Sequence, residues 1–140
     1  MTREQLVYAL RHYGQRTRML DMLTEEIDSL RELYEKISSQ GVSEGKVNAE
    51  LSQLQLQLLE KVPRQLRLKA WIARVDATLN CLTEREREVL CARTMRLMLW
   101  TEIAEYMYRE YGTSFTRQGL RGIYNRAIDK MLSLAGSEAA

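Results

Sequence analysis

The sequence predicts an all-α fold: a long antiparallel coiled-coil helical hairpin at residues 1–80, a smaller bundle of short helices at 81–135, and a flexible tail at 136–140. Apolar residues recur at three- and four-residue spacing along most of the chain, which is the period of a buried helix face. The Gly/Ser-rich segment 39–45 interrupts this pattern once, and a short loop usually joins antiparallel helices. Capping signatures then divide the last part of the chain into short helices.

The first helix is predicted at about residues 3–38. Thr2 and Gln5 have the spacing of a capping box, in which each side chain accepts from the backbone N–H of the other residue. Its apolar residues form two rows in which the members are seven residues apart, as in a coiled coil. The first row is Leu6, Tyr13, Leu20, Ile27 and Tyr34, and the second row is Leu23, Leu30 and Ile37. Met19, Met22 and Leu33 make this stripe wider than one antiparallel neighbour needs, which favours a homo-oligomer, with a dimer preferred.

The second helix is predicted at about residues 46–80, with Ser43 as a candidate cap. Its apolar positions keep the same scheme: Val47, Leu51, Leu54, Leu58, Leu68, Ile72, Val75, Leu79 and Leu82. Lys61 and Gln65 interrupt the stripe around Pro63, where a proline removes a helical hydrogen bond, so the sequence predicts a kink or a break. The following segment, residues 64–74, is basic, which fits either a solvated face or a second phosphate-contacting surface.

Three threonines precede the predicted short helices. Thr83 and Glu86 match the capping-box spacing, and acidic residues in the first turn suit the positive end of the helix dipole. Residues 95–99 are predicted to connect this helix to the next, for which Thr101 is the predicted cap. Thr116 is the predicted cap of the last helix, because its hydroxyl can accept from a free backbone N–H of the first turn.

The helix after Thr116 is predicted to have an apolar face and a basic face. The apolar face contains Leu120, Ile123, Ala127 and Met131. The candidate DNA-contacting residues are Thr116, Arg117, Gln118, Arg121, Asn125, Arg126 and Lys130. Arginine can pair with guanine and glutamine with adenine from the first turns of a helix in the major groove, whereas the last two basic residues suit phosphates. A solvated basic helix face is the alternative interpretation.

Composition limits the other functions. The net charge is only +2, so any nucleic-acid binding must come from local segregation of charge. Cys81 and Cys91 are expected to be buried free thiols. The sequence has one histidine and no Cys/His cluster, and it has no pattern of catalytic residues, so neither a metal, a cofactor nor an enzymatic activity is expected. With no apolar run of membrane-spanning length and no leader pattern, a cytoplasmic protein without a membrane partner is expected.

The last part of the chain resembles region 4 of the sigma-70 family. The residues that carry this resemblance are LTEREREVL at 82–90, Arg93, WTEIA at 100–104, TRQGLRGI at 116–123, and Ala127. The resemblance implies a helix-turn-helix whose last helix enters the major groove of a promoter and a module that docks on RNA polymerase. The segment from Ala104 to Thr116 is longer than in the family, which implies a longer first helix or a wider turn. The whole chain is similar to phage regulators of the ArpU/RinA type.

The function expected from residues and resemblance together is that of a phage- or prophage-type DNA-binding transcription regulator. Its expected partners are double-stranded DNA and RNA polymerase. Two alternatives stay open at this point: a small terminase-like DNA-packaging subunit, and an RNA polymerase-binding module that does not read DNA.

Overall fold

The computed structural model describes residues 1–40 and 45–139, with the backbone alone at Lys46 and at residues 136–139. Within these ranges the chain forms helices and no strand. The helices are α1 (Arg3–Ser39), α2 (Gly45–Asn80), α3 (Glu84–Thr94), α4 (Trp100–Tyr111) and α5 (Arg117–Ala139). The predicted all-α class is confirmed. The candidate cap Ser43 lies outside the described residues.

The chain forms two compact units. One consists of Gln15–Ile72, and the other combines Met1–Gly14 with Ala73–Ala140. The sequence places a domain boundary at 80/81 instead, between the long and the short helices. The difference arises because the first residues of α1 and the last of α2 belong with α3–α5; among them, Leu6, Leu10 and Leu79 are buried.

Within Gln15–Ile72, α1 and α2 lie side by side and antiparallel. Four side-chain pairs define this arrangement. As the residue number on α1 decreases from pair to pair, the residue number on α2 increases, as it does in antiparallel helices. The pairs are Tyr34 with Gln55, Glu26 with Lys61, Thr24 with Gln65, and Arg16 with Trp71.

Of the kink or break predicted at Pro63, the break does not occur, because α2 is helical without interruption from Gly45 to Asn80. The two polar residues that interrupt the apolar stripe have polar partners across the pair. Lys61 Nζ lies 2.7 Å from Glu26 Oε2, and Gln65, which is only 7% exposed, donates to Thr24 Oγ1 at 3.0 Å. Contacts on both sides of the proline therefore hold the helix together across the hydrogen bond that is lost there.

In the other unit, α3, α4 and α5 surround one apolar cluster. Its buried members are Val89, Ala92, Ile103, Met107, Leu120 and Ile123. Each helix contributes two of them, so none of the three can bury its apolar face without the other two. This shared burial fixes the position of α5 relative to α3 and α4.

The capping box predicted at the start of α1 is confirmed, because the Thr2 N–H donates to Gln5 Oε1 at 2.9 Å and the Gln5 N–H donates to Thr2 Oγ1 at 3.2 Å. Thr83 caps α3 with a complete capping box: its hydroxyl accepts from the Glu86 N–H at 3.2 Å, and the Glu86 carboxylate accepts from the Thr83 N–H at 3.1 Å. The prediction for Thr101 is wrong, because α4 begins at Trp100 and its N-cap is Leu99. The Leu99 N–H donates to Glu102 Oε1 at 3.1 Å, so the first turn is stabilised by a carboxylate from inside the helix.

The long segment between Ala104 and Thr116 is mostly helix. α4 continues to Tyr111 and ends at Gly112, whose φ of 67° is in the left-handed region that favours glycine. Tyr106 and Tyr111 are half-buried against the apolar cluster, and Tyr106 donates to Glu88 Oε2 at 3.1 Å. Of the two arrangements that the sequence allows, a longer helix or a wider turn, the longer helix is the one observed. α5 remains helical through Ala139, beyond the boundary at 135 that the sequence predicts.

One expectation about burial needs correction. Cys81 and Cys91 are both free, as expected, but Cys81 is exposed and only Cys91 is partly buried. On α1, Met22 and Leu33 of the wide stripe are 62% and 45% exposed, so the pair with α2 leaves them uncovered. No helix in residues 1–40 and 45–139 is both long and apolar enough to cross a membrane.

Candidate nucleic-acid interface

The candidate interface begins at the N-terminus of α5, which Thr116 caps as predicted. Thr116 Oγ1 accepts from the Gly119 N–H at 3.0 Å. A Cβ atom on residue 119 would lie 3.2 Å from that same oxygen, closer than is comfortable, so glycine leaves room for the cap. Phe115, just before the cap, packs against the apolar cluster that contains Leu120, as in a hydrophobic staple.

The two faces of α5 differ as the periodicity predicts. The predicted apolar residues are all buried, and Ile128, which the sequence analysis did not include, is buried with them. The predicted DNA-contacting residues are all exposed: Thr116, Arg117, Gln118, Arg121, Asn125, Arg126 and Lys130. At helical spacing, Gln118, Arg121 and Asn125 share one side, and the burial of the opposite side fixes the direction in which that side faces.

Gly122 is half-buried and lies beside this exposed side, next to Gln118 and Asn125 at helical spacing. A Cβ atom built on it would meet only Arg126 Nη1, at 3.8 Å, which is an ordinary van der Waals contact. The fold therefore does not require glycine here. Because glycine in a helix interior costs about 1 kcal/mol relative to alanine, its presence fits a surface where something approaches the α5 backbone closely.

Trp100 at the start of α4 holds two arginines beside this surface. The guanidinium carbon of Arg93 lies 4.7 Å from the centre of the Trp100 ring, and that of Arg121 lies 5.9 Å from it. Arg93 also donates to the Met98 carbonyl at 2.9 Å, and Tyr124 meets the indole edge-on at 5.6 Å. These contacts restrain the arginine side chains, so less conformational entropy remains to be lost on binding.

Two further arginines next to α5 were not identified from the sequence. Arg85 on α3 lies over the Phe115 ring at 5.1 Å. Arg3 at the start of α1 donates to Asn125 Oδ1 and lies 5.9 Å from the Tyr124 ring. Both are exposed, so they add positive charge beside α5. They come from distant parts of the chain, and no local pattern connects them to the last helix.

Lys130 differs from the other predicted DNA-contacting residues because its side chain forms an ion pair within the protein. Its Nζ lies 2.7 Å from Glu86 Oε1, and Glu86 is 8% exposed. The hydrogen bond from Lys130 lowers the pKa of the Glu86 carboxyl, which the capping hydrogen bonds with Thr83 lower further. Lys130 therefore stabilises the capped start of α3 and has less charge to offer a phosphate.

The side chains on this surface suit binding better than chemistry. Arginine, glutamine and asparagine present paired donors and acceptors that match base edges, and guanidinium groups match phosphates. Among the described residues, no group of three His, Cys, Asp or Glu side chains could hold a metal ion. Burial raises the pKa of the Cys91 thiol, and nearby Arg96 opposes this shift; a thiol held protonated is a poor nucleophile.

Comparison with protein-family models, with curated proteins and with solved structures found no match to this chain. The resemblance to sigma region 4 therefore depends on the residues quoted above.

Proposed function

We propose that this protein is a phage- or prophage-type DNA-binding transcription regulator that places α5 in the major groove of double-stranded DNA. In this proposal α4, the turn at 112–116 and α5 act as a helix-turn-helix of the sigma region 4 type. Arg117, Gln118 and Arg121 contact base edges from the first turns of α5, and Arg126 contacts a phosphate.

One observation carries the proposal: Arg117, Gln118 and Arg121 are exposed together at the start of α5, while Leu120 on its other face is completely buried. Burial of the polar side would have excluded base reading. Arg3, Arg85 and Arg93 lie beside the same helix through their contacts with Asn125, Phe115 and Trp100. They extend its positive charge toward the flanking phosphates.

The antiparallel pair of α1 and α2 is, in this proposal, a coiled-coil hairpin that provides protein contacts, including one with RNA polymerase. Seven-residue spacing of the inner apolar positions supports the coiled coil. The proposal requires no cofactor and no catalytic group, and such a regulator acts in the cytoplasm.

Selection of bound duplexes from a random library by the purified protein tests the proposal. We expect enrichment of one motif, and loss of preference at one or two of its positions with Arg121→Ala. Arg31→Ala is the matched control, because Arg31 is an exposed arginine on α1; it should recover the motif of the unchanged protein. Recovery of the same motif by Arg121→Ala would overturn the assignment of α5 as the reading helix.

The two alternatives predict different results. An RNA polymerase-binding module without DNA readout would show no affinity for duplex DNA even at low salt, where phosphate contacts are strongest. A small terminase-like packaging subunit would assemble as a ring, which light scattering would detect as a mass many times that of one 16.4 kDa chain.

A further inference from the structure

The outer side of α2 carries a second apolar stripe that the antiparallel pair with α1 leaves uncovered. Its members alternate at three- and four-residue steps: Ala49, Ser52, Leu56, Leu59, Pro63, Leu66 and Ala70. Each of them is exposed, and the three leucines are 65%, 70% and 58% exposed in chain order. None of the seven is charged. Isolated exposed leucines are common in proteins, but leucines in a regular uncharged stripe are typical of a helix–helix interface.

The geometry of α2 separates this stripe from the one that faces α1. The inner stripe contains Leu54 and Gln65, both buried, and lies on the opposite side of the helix at 3.6 residues per turn. Because α2 is continuous through Pro63, the outer stripe is one uninterrupted seam. Pro63 has no backbone N–H to donate to the Leu59 carbonyl, and its ring adds apolar surface to the seam.

We propose that the part of this outer stripe from Leu59 to Ala70 binds the same residues of a second copy of the chain in antiparallel orientation, forming a homodimer through α2. The charges at the edge of the seam favour this occupant. Glu60 and Arg67 directly follow Leu59 and Leu66 on the same edge. Both are exposed, and neither takes part in an ion pair among the described residues.

Orientation follows from these two charges. In an antiparallel pair of helices with coiled-coil spacing, the residues that flank one edge of the seam meet the same edge of the partner. Glu60 then lies against Arg67 of the partner subunit, and the two-fold axis repeats the contact. In a parallel pair, the edge with Glu60 and Arg67 meets the opposite edge of the partner's seam, where Gln55 and Val62 lie. Only the antiparallel arrangement neutralises both charges.

The same alignment fits the sizes of the seam residues. Leu66 lies opposite Pro63 of the partner subunit, and Leu59 lies opposite Ala70 of the partner subunit. Each large side chain meets a smaller or compact one, so the helices can approach closely. Shifting the alignment by seven residues would instead place Glu60 against Glu60 of the partner subunit, where the like charges repel.

The mass of the full-length protein tests the dimer. We expect sedimentation equilibrium to show a reversible dimer in the unchanged protein. Leu59→Glu should raise the dimer dissociation constant by about a hundredfold or more, because each dimer loses two buried leucines and gains two buried charges. Leu97→Glu is the matched control, because Leu97 lies between α3 and α4, outside both apolar stripes, and is 66% exposed; it should leave the constant unchanged. Both side chains are exposed in the single chain, so circular dichroism should show intact helices in both variants. A monomer at all concentrations, a larger assembly, or equal disruption by Leu97→Glu would overturn the proposal.

Charge reversal tests the orientation. Glu60→Arg and Arg67→Glu should each weaken the dimer by about tenfold, and the protein carrying both changes should regain most of the lost affinity, because each subunit then offers the swapped pair to the other. In a single helix, these positions are two turns apart, so the recovery would not come from a contact within one chain. Absence of an effect from either single reversal, or additive losses in the double variant, would overturn the antiparallel alignment.

Discussion

Replacement of Gly122 by alanine should move stability and DNA affinity in opposite directions. The added Cβ meets only Arg126 Nη1 at 3.8 Å, so the helix accepts it without strain. Alanine is favoured over glycine in a helix interior by about 1 kcal/mol. For a chain of 140 residues, this gain corresponds to a rise in Tm of about 2–4 °C. Urea denaturation should show a higher midpoint with an unchanged slope.

Gly119→Ala is the control for this stability gain. Its Cβ would lie 3.2 Å from Thr116 Oγ1, so the strain at the cap offsets the helical preference and the net gain should be smaller. A loss of stability in Gly122→Ala, or a gain in stability no larger than that of Gly119→Ala, would contradict the open space around residue 122.

In DNA binding, the methyl group of Gly122→Ala lies next to Gln118 and Asn125, beside the side proposed to face the groove. We expect a loss of affinity of about tenfold, close to 1.4 kcal/mol, for the selected duplex, measured by fluorescence anisotropy. Unchanged affinity in the more stable variant would show that the centre of α5 does not approach DNA closely.

Three further changes test other contacts. Lys130→Met should destabilise the protein by about 1–2 kcal/mol at neutral pH, less than for a fully buried pair because the Lys130 side chain is half exposed. Because the pKa of Glu86 is lowered in the folded protein, this stabilisation is present above the ordinary carboxyl pKa and is lost as the pH falls through the lowered pKa. Denaturation curves of the variant and the unchanged protein should therefore converge in acid. Gly112→Ala should cost about 1 kcal/mol in urea unfolding and Gly112→Asn less, because residue 112 has a φ of 67°. A thiol-alkylating reagent should modify exposed Cys81 in the native protein and Cys91 chiefly after denaturation, as measured by mass spectrometry.

Local sequence signals predicted the helices well. α1 and α2 begin and end within one residue of the predicted positions, because apolar periodicity and the Gly/Ser-rich break act over short distances. Thr83 and Thr116 were predicted because their hydroxyl groups accept the hydrogen bonds that a cap requires. Leu99 has no such group; its role depends on the backbone N–H and on Glu102, so Thr101 was a more conventional but incorrect choice.

Contacts between distant residues were beyond the reach of the sequence. Pro63 predicted a kink or a break, and the sequence did not show that Gln65 and Lys61, on either side of it, have partners on α1. The polar face of α5 was predicted from periodicity, but the arginines that join it were not. Arg85 reaches it through the Phe115 ring, which depends on the packing of α3 against α5.

The most direct test of the proposed DNA interface is the dissociation constant of the selected duplex for the unchanged protein and for Arg121→Ala, measured at matched salt. A bidentate contact with a base contributes about 1–3 kcal/mol of discrimination, so we expect Arg121→Ala to bind the selected duplex about tenfold to a hundredfold more weakly. Its affinity for unrelated duplexes should change much less, because those contacts are mainly with phosphates. Equal losses on selected and unrelated DNA, or no loss on either, would contradict the proposal that α5 reads the sequence.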